Sequence, residues 1–188
     1  MFSRNRRGER RVSPQAFKLL LAAHIIVSVG WLGVVVAKLV LGLAAITSNA
    51  HDISDALYVA MKVVDVIFLP AAIATVVTGV LLSLGTKWGL LRHYWVATKL
   101  ALTVGVIVTG IALVDRLVRQ SISASSGQAV ADGTILGVAY APALLISLSV
   151  AHVLMLGVAT VVSVYKPWGK TRLGRRRVAQ SLSKEGVR

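Results

Sequence analysis

From Leu19 to Ala37 the chain reads LLLAAHIIVSVGWLGVVVA, 19 residues whose only polar interruptions are His24, Ser28 and the indole of Trp31. A hydrocarbon core ~30 Å thick needs ~20 mostly apolar residues at a helical rise of 1.5 Å. This stretch meets that length, and a helix satisfies every backbone polar group that lipid cannot. Three further apolar stretches resemble it. They predict transmembrane spans over 17–46, 57–84, 94–117 and 134–165, between a basic N-terminal segment at 1–16 and a basic C-terminal tail at 166–188. The fold class that follows is all-α: a polytopic membrane protein built as a four-transmembrane-helix bundle. The first apolar run continues past Lys38 to Ile46. That is longer than the ~7–15 residues of a cleavable signal, so it reads as a retained helix.

Charge orients the bundle. Of 21 Lys and Arg, 17 fall in the N-terminal segment, the middle turn with the start of the next span, or the tail. Asp52, Asp55, Asp65, Asp115 and Asp132 fall toward the opposite side. The positive-inside rule then predicts both termini in the cytoplasm and residence in the cytoplasmic membrane. Trp88, Trp95, Tyr165 and Trp168 lie at the same boundary, as an aromatic belt does. A net charge of +14 is compatible with a nucleic-acid footprint, but the charges sit at the two chain ends and in one short loop, without an aromatic-basic surface. The expected partners are instead the lipid bilayer and its anionic headgroups. The absence of cysteine excludes disulfides and thiolate metal sites.

Between the spans, TSNAHDISD (47–55), GTKWGLLRHYW (85–95) and SISASSGQAVADG (121–133) read as turns or loops, and Pro70 as a kink. Small residues recur every four positions in the second span, at Ala71, Thr75, Gly79 and Ser83. Such a seam lets another backbone approach closely. Gly30 and Gly33, Gly105 and Thr109, and Gly137 and Ala141 are candidates for the same role. These seams serve packing within one bundle, or a homodimer or membrane-protein partner.

Ionisable groups inside a membrane cost ~2.5–3.5 kcal/mol or more, which singles out six residues. His24 lies roughly 10 Å deep from the cytoplasmic side, Lys99 roughly 8 Å and His152 roughly 21 Å. His24 and Lys99 therefore share a level, and a haem ligated by His24 and His152 together is disfavoured. His24, Ser28, Trp31, Val35 and Lys38 follow spacings of four, three, four and three, so they line one helix face. Asp65 has Lys62 three residues before it and Lys38 near its level, which predicts a charge pair or triad. Lys99 is open to a second reading, with its ammonium snorkelling to the surface. No catalytic constellation and no metal-ligand motif stands out.

Three stretches carry a family likeness: HIIVSVGWLG (24–33), SLGTKWGLLRHYWVATKLALT (83–103) and YKPWGKTRLGRRR (165–177). They resemble a family of bacterial four-helix integral membrane proteins of unknown function, which implies the bundle but no activity. His24 with Ser28, Trp31 and Gly33 is also similar to a pattern in the copper-resistance D proteins and the membrane-bound haem-dependent protoporphyrinogen oxidases. Trp95 with Lys99 and Leu100 resembles a second oxidase motif. That likeness implies a haem b site at His24 and Lys99.

Three functions are therefore expected, in order. The first is an accessory or scaffold subunit of a larger membrane assembly without a catalytic site. The second is a b-type haem protein using His24, redox-active or oxidase-like. The third is a small metal-ion or proton transporter using Asp65, His24 and His152.

Overall fold

A computed structural model describes residues 2–4, 10–85, 93–125, 140–165, 169 and 171. Four of its helical rods are long and apolar enough to cross a membrane, the architecture of a multi-pass membrane protein. Ahead of them, β1 (Phe2–Arg4) and β2 (Arg10–Val12) pair antiparallel, with Phe2 opposite Val12. The sequence alone leaves that segment irregular.

Helix α1 spans Pro14–Thr47. Pro14 fits its first turn, where no N–H is needed, and Ser13 Oγ accepts from the Ala16 amide at 3.2 Å. Helix α2 spans His51–Gly85 and stays helical through Pro70. It begins earlier than composition suggests. Asp52 sits in its first turn, where a negative charge offsets the helix dipole. The Ser54 hydroxyl donates to the Ala45 carbonyl at 3.1 Å and closes the tight α1–α2 hairpin.

The third rod has a wide turn in it. Helix α3 (Tyr94–Thr109) passes through a π turn (Gly110–Val114) into α4 (Asp115–Ser125). Its buried positions Val106, Gly110, Val114 and Val118 are spaced by four. On a 3.6-residue helix such a run drifts about 40° per turn, and the wider π turn takes up part of that drift. Ser121 to Ser125, expected in a loop, continue this helix. Helix α5 covers Ala141–Tyr165, with Pro142 tolerated in its first turn. The expected start of that span, 134–139, lies outside the described residues, as does most of the turn before α3.

Large aliphatic side chains cover the outside, Val66 and Ile26 among them at 74% and 71% exposed. That surface suits lipid rather than water. Inside lie two apolar clusters. One joins Trp31, Val35, Phe68, Ala72, Val106 and Leu156; the other joins Ala45, Tyr58, Met61, Val114, Val118 and Leu145. Helix α1 packs along α2, and α5 packs on α1 and α3, whereas α2 and α3 barely touch. Phe17, Ser83, Trp95 and Ser163 meet at one end of the bundle. The start of α1, the end of α2, the start of α3 and the end of α5 therefore share that end, called here the terminal end.

The glycines redistribute the expected seams. Around Gly30 and Gly33 a Cβ would meet nothing within 4 Å, so neither marks a close helix contact. The close approaches are at Gly42, Gly105 and Gly110, where a Cβ would lie 2.8 Å from Ile146, 2.9 Å from Met155 and 2.7 Å from Phe68. Gly137 is outside the described residues.

Candidate functional site

The face predicted on α1 turns inward, with His24, Trp31, Val35 and Lys38 buried and Ser28 partly so. Ser28 donates back to the His24 carbonyl at 2.6 Å, a bond within its own helix. His24 reaches across to α2, where its Nδ1 lies 2.8 Å from Thr78 Oγ1. The Thr78 hydroxyl has one proton, and the Ala74 carbonyl takes it at 2.7 Å. Thr78 therefore accepts from His24 Nδ1–H, which leaves Nε2 as an acceptor. The Lys99 ammonium stands 3.4 Å from that nitrogen and 3.3 Å from Ser163 Oγ. One cation on α3 thus joins α1 and α5.

This cluster edges a partly open cavity of about 310 Å³ between α2 and α3, where the two helices leave a gap. Val76, Val80 and Leu100 give it apolar walls, and Lys99 brings the positive charge. No Asp or Glu is among its described lining residues. Thr75 also lines it; the residue is 6% exposed, and its hydroxyl oxygen is buried without a hydrogen-bond partner. Of the seam expected for helix packing, Thr75, Gly79 and Ser83 border this cavity instead. Gly79 matters by its small size: a Cβ there would lie 3.1 Å from His24 Cε1.

The remaining intramembrane polar residues lie elsewhere. The Lys38 ammonium pairs with the Asp65 carboxylate, and it sits 5.2 Å from the centre of the Phe68 ring. Lys62 does not join that pair; it faces Asp115 on α4 at 3.5 Å, and Arg119 holds the same carboxylate at 2.5 Å. Of the expected charge pair or triad, the pair of Lys38 with Asp65 is present and Lys62 belongs to a separate group. The His152 Nε2 lies 2.7 Å from Thr109 Oγ1, whose own proton goes to the Gly105 carbonyl at 2.6 Å, so the imidazole donates. His152 stands 11 residues before Ser163 on α5, or about 16 Å along the axis from the His24–Lys99 level. The two imidazoles cannot meet at one iron. Of the three residues of the expected transport path, His24 and His152 stand at different levels, and Asp65 is held by Lys38.

Sequence reasoning missed Thr78 and Ser163 because each looks like an ordinary hydroxyl in an apolar helix, and it read Thr75 and Thr109 only as small residues of packing seams. It also missed Phe68, whose ring packs edge-on against Trp31 at 5.7 Å and fills the space beside Gly110. The Trp31 indole N–H is buried there without a partner. Among the described residues no group of three or more His, Asp or Glu could hold a metal ion. No protein-family model, curated protein or solved structure matches the chain.

Proposed function

We propose that this protein is a non-catalytic bundle of the cytoplasmic membrane, with both termini in the cytoplasm, serving as an accessory or scaffold subunit of a larger membrane assembly. One observation carries the reading. Three pairs of interior polar side chains tie helices to one another: Lys38 with Asp65, His24 with Thr78, and His152 with Thr109. Groups engaged in this way hold a shape and leave the long apolar outer faces to meet lipid or a neighbouring helix. Lys and Arg at both chain ends suit the anionic inner leaflet.

The test has two parts. A reporter fused after Arg188 should read out in the cytoplasm, and the protein extracted in native lipid discs should bring a stoichiometric membrane partner. A periplasmic reporter would overturn the orientation; a lone monomer in the discs would overturn the subunit role.

A haem b protein is the second reading, favoured by the position of His24 on the rim of a cavity beside a cation that suits a propionate. Ligation through Nε2 requires Lys99 to leave its place 3.4 Å away. Haem-replete expression should then give a Soret band that His24→Ala abolishes, and a blank spectrum removes this reading.

A further inference from the structure

Beyond the exposed Lys18 at the start of α1, three lysines lie deeper in the rods of this bundle, and they are not treated alike. Lys38 has Asp65 and Lys62 has Asp115. Lys99 is half-buried and has only neutral partners among the described residues, His24 Nε2 and Ser163 Oγ, both at long range for a hydrogen bond. An ammonium in a poorly hydrated site is stable when an anion stands beside it. No described residue on the lining of the cavity supplies one. Thr75, whose buried hydroxyl has no partner of its own, lines the same cavity. The remaining walls are mostly apolar, aliphatic and aromatic together, and the cavity lies between two helices that barely touch.

We propose that the cavity between α2 and α3 binds an anionic amphiphile, with its carboxylate or phosphate on the Lys99 ammonium, the Thr75 hydroxyl as a further donor, and its acyl chain against Val76, Val80 and Leu100. A volume of about 310 Å³ is at the small end for ligand sites, enough for a headgroup and the first part of a chain. A free fatty acid and an anionic phospholipid both present this chemistry. The inference goes beyond the scaffold reading and does not depend on any partner subunit.

Trp95 lines the cavity and is the natural reporter. The full chain, purified in a neutral maltoside detergent, is titrated with 11-bromoundecanoate, whose bromine quenches a tryptophan that it touches. Saturable quenching is expected in the wild type and its loss in Trp95→Phe. Lys99→Arg should keep the affinity, and Lys99→Met should lower it at least tenfold. Val80→Phe, which fills the cavity without touching the charge, should abolish quenching as well. Displacement by a few mole per cent of phosphatidylglycerol identifies the phospholipid as the preferred source; resistance to it identifies the free acid. Either supports the site. Equal affinity of wild type and Lys99→Met, or equal quenching by neutral bromoundecanol, overturns it. Loss of the scaffold partner in discs leaves these outcomes unchanged, so the two proposals fail separately.

Discussion

The two ends of this bundle solve the same electrostatic problem differently. Away from the terminal end, each of the two lysines has a carboxylate beside it: Lys38 meets Asp65 under the Phe68 ring in the closed interior, and Lys62 shares Asp115 with Arg119 at a more exposed position. At the terminal end Lys99 has an imidazole, a hydroxyl and a cavity. Internal pairing makes one end rigid and self-sufficient. Leaving a charge to neutral neighbours makes the other end receptive to an anion from outside.

The contrast breaks most visibly at Asp65. Asp65→Ala strands the Lys38 ammonium, whose side chain is 6% exposed, and should destabilise the fold by about 3–5 kcal/mol in detergent unfolding. Removing both charges, as Lys38→Met with Asp65→Leu, should recover most of that loss. A cost below about 1 kcal/mol for Asp65→Ala would mean that the pair is not load-carrying in the membrane fold.

Next is the contact that the π turn creates. Gly110→Ala places a methyl 2.7 Å from the Phe68 ring and should cost about 1–3 kcal/mol, whereas Gly30→Ala, with open space around it, should cost nothing or stabilise slightly. Equal thermal shifts for the two would contradict the packing. Thr109→Val removes the acceptor from His152 and should cost about 1 kcal/mol, within the range of polar ties between membrane helices. The smallest effect belongs to the terminal end. Lys99→Met leaves no carboxylate behind and should hold the melting temperature or raise it, read by the same unfolding assay. A loss there as large as that of Asp65→Ala would erase the difference between the ends.

Much of the fold is legible in the sequence, because lipid imposes a simple rule. A continuous apolar run of bilayer length has only one economical backbone, and four such runs specify four helical rods. The inward face of α1 is legible too, since His24, Trp31, Val35 and Lys38 keep helical spacing while their neighbours are aliphatic. Depth along each rod also follows from counting at 1.5 Å per residue, and it puts His24 and Lys99 on one level, the level at which their side chains meet.

Partnership is what counting cannot give. Lys62 lies three residues from Asp65 on one helix, which makes that pair the natural guess, yet rotation of the rods turns it to Asp115 instead. Gly30 and Gly33 look like a packing seam and face open space, while Gly42 and Gly110 do the packing. The chain by itself determined four rods long and apolar enough to cross lipid, because solvation acts on each segment independently. Which hydroxyl meets which imidazole, where the π turn falls and where α2 and α3 stand apart were decided only by the tertiary structure. Those depend on azimuth, and azimuth is set by side chains from several rods fitting one interior at once.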